Sequence, residues 1–392
     1  MASYLVTKDT KFCCGCRACE QKCPQKCISM IERNGFFYPT LDTKRCINCK
    51  LCENVCQYSQ VNQKRLVKNS FPYVYAAWNK DAALVEKSAS GGMFFTAAKT
   101  VIDNGGVVFG AKYNQNFSVE IDFAENIKEC EKFRKSKYAF SSTNESYQKA
   151  AAFLEEGRQV LFSGTPCQIS GLYSFLKKDY DNLLTIDLVC HGLDAPIFLQ
   201  SFIQMMEEKY DSKIVSIDFR HKIKGQQKPN LKIVFENGTV YNNLFEASAY
   251  GVFFGSNVFL MPSCTSCQYA NTNRVGDLTI GDYWKIGETY PEAFHPEGTS
   301  LVLVNTEKGK KFFSKIQNQL EFFETDLDTA LKGNPTLSYP SRKNPFSKHI
   351  LASLKKKGFQ RTYKNYVYFY SKLFLIYRLF RKIKNKLFIN SK

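Results

Sequence analysis

The sequence predicts a mixed α/β protein, with a small cysteine-rich module in front, a body built on a mixed sheet, and a basic helical tail. Three observations carry that expectation. Two dense cysteine runs fall within the first 56 residues, helix-like and strand-like periodicities alternate from about residue 73 to 340, and Asp and Glu are absent after residue 340. At 392 residues the chain exceeds the roughly 250–300 at which a single hydrophobic core stops growing, so more than one module is expected. Its 44% hydrophobic content is enough for a packed body.

The front module (1–60) is read from its thiols. The first run is Cys13-x2-Cys16-x2-Cys19-x3-Cys23-Pro24, and the second is Cys46-x2-Cys49-x2-Cys52-x3-Cys56. This is the spacing of two-cluster bacterial ferredoxins, in which three cysteines of one run and the fourth of the other hold each cubane. Cys13, Cys16, Cys19 and Cys56 are thus assigned to one [4Fe-4S] cluster, and Cys46, Cys49, Cys52 and Cys23 to the other. Zinc, the alternative, usually takes separated cysteine pairs around a tetrahedron, a poorer match to two triplets at x2 spacing. Cys14 and Cys27 fall outside the pattern and are read as packing residues, and Gln57 stands where the first run has proline. "MASYLVTKDTKF" lacks the apolar segment and cleavage site of an export signal, so a reducing cytoplasm is expected, where fifteen cysteines suggest metal ligands rather than disulfides.

A polar linker is expected at 61–72, and the body follows over 73–340. "GGMFFTAAKTVIDNG" reads as a helix stopped by glycine and "GVVFGAKY" as a strand. "NESYQKAAAFLEEG" is helical, while "QVLFSG" and "NLLTIDLVC" are strands. "PIFLQSFIQMMEEKY" opens a helix with proline in its first turn, and "LKIVFENGTVYN" carries the Asn-Gly turn of a hairpin. "TSLVLVNT" is a strand, with the helical "EKGKKFFSKIQNQL" behind it.

Two body cysteines, Cys167 and Cys190, lie where strands give way to loops, the edge at which open α/β sheets bind ligands. Cys167 also sits near a helix N-terminus, which favours thiolate. With Cys264-x2-Cys267 they make four, the number a cubane needs. A third [4Fe-4S] cluster, zinc or a redox-active thiol pair, and ordinary buried cysteines are the readings open at this point. Cys130 is read as incidental. The loops "SASGG" (88–92) and "SGTP" (163–166) precede helices and suit either a phosphate or a tight capped turn. Lys135 and Lys137 beside an aromatic suit an anionic cofactor or a solvated face. His191 suits proton transfer or a structural hydrogen bond, and Asp277 and Asp282 suit turns or a cofactor hydroxyl.

Taken in order behind the ferredoxin-like module, "SASGGMFF", "SKYAFSS", "FSGTPCQISGL", "DLVCHG", "CTSCQYA" and "RVGDLTIGDYW" resemble the coenzyme F-420 hydrogenase/dehydrogenase beta-subunit family. The resemblance implies an oxidoreductase in which FAD joins one-electron clusters to a two-electron hydride partner. It implies a flavin side at Ser88, Ser90, Gly91, Gly92, Lys137, Gly164 and Thr165. It also favours the third cluster at Cys167, Cys190, Cys264 and Cys267, and His191 is the catalytic candidate for the proton. The hydride partner is the deazaflavin or another small organic molecule, since such families include pigment reductases and accessory proteins of surface-polysaccharide synthesis. An electron-donor or acceptor protein is the expected partner. An electron-transfer subunit without a substrate site, and a structural iron-sulfur protein without flavin, are the competing functions.

The tail (341–392) holds fifteen Lys and Arg and no acid, which accounts for all but +3 of the +18 net charge. Since the rest is nearly neutral, nucleic acid is not expected as a partner. From Lys355 on, basic and aromatic residues interleave as in an amphipathic helix that lies on an anionic membrane or docks on protein. Lys372 and Arg378 break the apolar run, so no bilayer span is predicted.

Overall fold

The computed structural model describes residues 3–59, 72–223 and 225–389, with the side chains of the last helix as far as Phe369. In it the two cysteine runs flank one hairpin, β1 (Ile28–Arg33) paired antiparallel with β2 (Phe36–Leu41). Asn34 and Gly35 turn that hairpin, both at positive φ. Each cysteine run continues into a single helical turn, Ala18–Gln21 and Leu51–Asn54. The residues just before, Arg17 and Lys50, share φ 59° and ψ 7°. The same left-handed kink therefore separates the second and third cysteines of both runs. The linker expected at 61–72 lies, apart from Pro72, outside the described residues.

The body strands are β3 (Tyr73–Asn79), β4 (Val107–Tyr113), β5 (Val119–Ala124), β6 (Ser141–Ser142), β7 (Val160–Gly164), β8 (Leu183–Leu188), β9 (Ile214–His221), β10 (Asn230–Phe235), β11 (Val240–Leu244), β12 (Leu278–Asp282), β13 (Ser300–Val304) and β14 (Leu320–Thr325). Nine of them form one mixed sheet in the order β14-β3-β13-β12-β8-β7-β4-β5-β6, and β11-β10-β9 form a separate antiparallel sheet. The centre, β12-β8-β7-β4, is parallel. Parallel strands are covered on both faces, which is why β7 is buried at every position and reads as a continuous apolar run. β10 alternates, as a strand with one covered face does.

Parallel pairing of β7 with β8, Val160 opposite Leu183, brings Gly164 and Asp187 to one sheet edge. The "RVGDLTIGDYW" segment is locked to β8 by buried charge. Arg274 Nη2 donates to Asp187 Oδ1 at 2.8 Å, and Asp187 Oδ2 accepts from Val275 N and Gly276 N. Asp277 accepts from Thr185 N and Oγ1 at 2.9 Å and from Thr306 Oγ1 at 2.7 Å, so its carboxylate ties this segment to β8 and to the residues after β13.

Most expected elements form, including the helices Met93–Asp103, Ser146–Glu155, Pro166–Leu176 and Pro196–Tyr210 and the Asn237-Gly238 hairpin. One expectation needs correction. The helix read over "EKGKKFFSKIQNQL" ends at Ile316, and Leu320 already begins edge strand β14. Cys130 is fully buried in the core and takes no part in the sulfur groups described below.

The tail is a helix, Ser347–Ile389, bent at Gly358, whose φ of 71° and ψ of 176° interrupt it. Ile350, Leu354, Phe359 and Tyr366 are buried, with Phe359 in the aromatic cluster of Phe198, Phe202 and Phe253. Lys355 Nζ reaches Glu32 on the front hairpin at 2.7 Å. As far as Tyr366 the tail therefore docks on its own protein, and the membrane-surface expectation rests on residues beyond Phe369, whose side chains lie outside the described residues. Among the described residues no helix is long and apolar enough to cross a membrane.

One carboxyl in this core is unusual. Asp194 is 2% exposed, and neither oxygen has a hydrogen-bond partner among the described residues; burial pushes its pKa up to about 8. An unfolded Asp ionises near pH 4 and this one only near 8, so the native state holds the extra proton between those values and loses stability as pH rises. Asp194→Asn removes that dependence. Denaturant titrations should show the variant gaining on the parent with rising pH across this window, by roughly 1.4 kcal/mol per pH unit. A constant difference would show that Asp194 ionises normally.

Candidate iron-sulfur and cofactor site

The front module gathers its cysteines into two groups. Burial pushes the Cys19 thiol well up, reinforced by the nearby sulfurs of Cys16, Cys13, Cys56 and Cys52. Cys13 is raised for the same reasons, with Cys16 and Cys56 beside it. Cys56 thus lies beside the first run, with Cys52 also near Cys19. Cys23, Cys46, Cys49 and Cys52 line a single cavity, and so does Cys27. Buried thiols that resist ionisation unaided are deprotonated when a metal supplies the compensating positive charge. The chemistry of the first donor set therefore fits iron, and the second set offers four thiols around one cavity. Among the described residues no His, Cys, Asp or Glu group closes tightly enough for a single metal ion.

Cys27 and Cys14 depart from the expectation that they only pack. Cys27 Sγ lies 3.3 Å from Cys23 Sγ, and burial with the sulfurs of Cys23 and Cys46 raises its thiol to about 12. Cys14 is 5% exposed, and the neighbouring sulfurs of Cys16 and Cys167, with burial, hold its thiol well above the usual range. Spacing could not reveal either contact, because each arises from chain folding outside the x2 pattern.

The body supplies a third sulfur group. Cys167 lies in the first turn of Pro166–Leu176, Cys190 follows β8, Cys264 is in the turn Pro262–Ser266, and Cys267 ends that turn. Cys264 is raised by burial and then by Cys190, Cys167 and Cys267; Cys190 is raised by burial, Cys167 and Cys267. All four therefore meet at the sheet edge. Leu193 N donates to Cys264 Sγ at 3.3 Å, and Thr165 Oγ1 is 3.2 Å from Cys167 Sγ. Cys167 is lowered, first by its hydrogen bond with Cys14.

The first and third groups are separated by one turn of helix. Cys167 and Gly171 stand four residues apart on Pro166–Leu176, and a Cβ on Gly171 would lie 3.2 Å from Cys16 Cβ and 3.3 Å from its Sγ. Tyr38 spans the same gap, its hydroxyl near both Cys13 and Cys264. Gln57 is 3% exposed there. Its Nε2 donates to Cys14 Sγ at 3.2 Å and to Cys167 O at 2.9 Å, and the Tyr269 hydroxyl donates to its Oε1.

The residues expected on the flavin side are largely engaged by the protein. Gly91 and Gly92 seat a helix on β3, where Cβ atoms would lie 2.4 Å from Ala77 O and from Leu84 Cδ2, respectively. Ser88 Oγ donates to Leu84 O and Ser90 Oγ to Thr299 O. Gly164 is buried at the end of β7, and Thr165 forms a capping box with Gln168, the tight-turn alternative for that loop. Lys137 Nζ donates to Arg134 O at 2.7 Å and Lys132 O at 3.0 Å, and burial lowers its pKa to about 7. His191 Nε2 is 2.7 Å from Asn257 Oδ1, its ring lies against Phe254, and burial lowers its pKa.

Cations that the sequence did not single out converge on the 84–90 loop. Arg134 Nη1 reaches Ser88 Oγ, Lys222 Nζ donates to Val85 O at 2.7 Å and Ser90 O at 3.1 Å, and Arg220 Nη2 donates to Ala89 O and to Asp282. Burial lowers Lys222 to about 8. Arg220 Nε is buried without a partner among the described residues, a donor suited to an anion. Arg220 and Lys222 come from β9 and its following loop, some 130 residues from the loop they meet.

Gly171→Ala tests the close approach between the first and third sulfur groups. The new methyl meets Tyr147 Oη at 2.7 Å as well as Cys16, and overpacking of this kind costs about 1–3 kcal/mol. The variant should lose iron preferentially from the first group. Gly255→Ala, with open space around its Cβ, should lose none. Equal iron in both variants would mean the helix does not abut Cys16.

Residues 12–59 match the family described as "4Fe-4S dicluster domain", and residues 157–329 match the family described as the C terminus of the coenzyme F420 hydrogenase/dehydrogenase beta subunit. No curated protein matches the chain. Among solved structures, a chain of the F420-reducing [NiFe] hydrogenase complex from Methanosarcina barkeri is similar, with 18% identity, a TM-score of 0.47, and coverage of 69% of this chain and 90% of that one. The chain thus carries a 4Fe-4S dicluster domain at residues 12–59 and, at residues 157–329, a segment matching the C terminus of the coenzyme F420 hydrogenase/dehydrogenase beta subunit.

Proposed function

We propose that this iron-sulfur electron-transfer protein is a flavin-dependent oxidoreductase. Its ferredoxin-type clusters are held by Cys13, Cys16, Cys19 and Cys56 and by Cys46, Cys49, Cys52 and Cys23, and a third by Cys167, Cys190, Cys264 and Cys267. The observation that carries this reading is the meeting of the four body sulfurs one helical turn from the first group. When bound, the clusters supply single electrons and FAD supplies hydride exchange with an organic partner, the deazaflavin F420 being the first to try.

The chain's own residues have definite tasks in this reading. Arg220, Arg134 and Lys222 hold the anionic part of the cofactor against the 84–90 loop, with the free Arg220 Nε as the fitting donor. Ser88, Ser90 and Lys137 shape that loop and its neighbour rather than contact phosphate, since both hydroxyl protons and all three Lys137 Nζ donors are given to carbonyls. Gly91 and Gly92 hold the following helix against β3. Gly164 and Thr165 present Cys167 through the capping box. His191, fixed by Asn257, is the candidate for the proton that accompanies hydride exchange. The engagement of the expected flavin residues favours a second reading, in which the chain only relays electrons between an external donor or acceptor protein and a separate catalytic protein.

Chromatography of acid-released cofactor from anaerobically purified protein separates the two. The proposal expects stoichiometric FAD, with Arg220→Met losing flavin while keeping its iron. It also expects Cys264→Ser with Cys267→Ser to lose one cluster's iron and keep the ferredoxin-type resonance signals. Full iron without flavin in the parent protein would support the relay reading, and unchanged iron in the double variant would remove the third cluster.

A further inference from the structure

Two residues that the ligand pattern leaves aside lie between the first and third sulfur groups. Cys14 precedes the second ligand of the first run by two positions, and Gln57 occupies the place that is Pro24 in the other run. The two runs are otherwise alike in spacing and in their left-handed kinks. A glutamine in place of proline adds a side-chain amide, and here that amide is turned into the gap. Gln57 Nε2 donates to Cys14 Sγ at 3.2 Å and to Cys167 O at 2.9 Å, and the same amide lowers the thiol of the neighbouring Cys16. Cys14 in turn lies beside Cys16 and Cys167 and lowers the thiols of both.

The amide is itself held from behind. The Tyr269 hydroxyl donates to Gln57 Oε1, lies 2.8 Å from Ser170 Oγ and accepts from Gln268 Nε2 at 2.7 Å. Tyr269 is 3% exposed, and Ser170 belongs to the same helix as Cys167 and Gly171. Gln57 therefore has one orientation, with its oxygen toward Tyr269 and its N–H groups toward Cys14 Sγ and the carbonyl of Cys167. At the second group the corresponding residue, Pro24, has neither N–H nor side-chain donor to offer.

We propose that Cys14 and Gln57 are positioning residues that hydrogen-bond the facing ligand sulfurs of the first and third clusters and set the potentials of the two as a pair. The proposal rests on the third-cluster reading above. Donors to a ligand sulfur stabilise the reduced, more negative cluster and raise its potential. Gln57 acts mainly on the Cys16 side, while the single S–H of Cys14 is shared between Cys16 and Cys167. The second cluster, which has proline at this place, is untouched and serves as an internal reference.

The test is a potentiometric titration of the full chain followed by electron paramagnetic resonance, with iron and sulfide counted in every sample. Gln57→Met keeps the volume and removes the donor. It should make the first cluster about tenfold harder to reduce, a shift of roughly −59 mV for a one-electron couple. Cys14→Ala should shift the first and third clusters together, and Cys14→Ser, which keeps a donor, should restore much of the change. The second cluster should stay where it is in all three. Unchanged potentials in Gln57→Met and Cys14→Ala at full iron would overturn the proposal, as would an equal shift of all three clusters. If Cys14→Ala loses iron, Gln57→Met and Cys14→Ser still decide the matter. Failure of the underlying reading is distinguishable, because parent protein would then hold iron and sulfide for two clusters only, and the paired role would fall with it.

Discussion

Everything in this molecule that bears on electrons depends on how closely the front module sits against the first turns of the Pro166–Leu176 helix. That approach is permitted by the missing side chain of Gly171 and held by Gln57 bonding to the carbonyl of Cys167. A wider gap would leave two separate sulfur centres. At the observed spacing, Cys14 lies between Cys16 and Cys167 and both raise its thiol. The helix cap of Thr165 and Gln168 fixes where Cys167 points, so a local sequence signal and a long-range docking contact act on the same residue.

The sheet provides the rigid support. Its central parallel strands deliver Cys167 and Cys190 to a common edge, and the buried pair of Arg274 with Asp187 ties the segment after Cys267 to β8. A buried ion pair of this kind contributes little net stability against an apolar alternative, but breaking it leaves an unpaired charge. Its value here is geometric. It fixes the register between the Cys264–Cys267 turn and the strand that carries Cys190.

Much of this was legible in the sequence because the chemistry is local there. The spacing of Cys13 to Cys23 and Cys46 to Cys56 encodes the ferredoxin pattern directly, and the buried strands β7 and β8 read as apolar runs. β14 was hidden because Leu320 extends the apolar stripe of Phe312, Phe313 and Ile316 in the helix before it, and only pairing with β3 decides that it is strand. Arg220 and Lys222 were unmarked because their partners lie some 130 residues away. Cys14 and Gln57 were visible as exceptions to a pattern, yet their contacts exist only once the front module meets the body. The tail was ambiguous because a stripe that docks on protein and one that lies on lipid have the same periodicity, and Phe359 and Tyr366 decide for protein over the part described.

The most direct test of this account asks whether the first and third sulfur groups carry clusters close enough to sense one another. Electron paramagnetic resonance of the fully reduced parent protein should show a first-cluster signal broadened by magnetic interaction. The same signal should narrow in Cys264→Ser with Cys267→Ser, while the first cluster's iron stays in place. An identical narrow signal in both proteins would contradict the account, because it would mean that no paramagnetic centre is held one helical turn away.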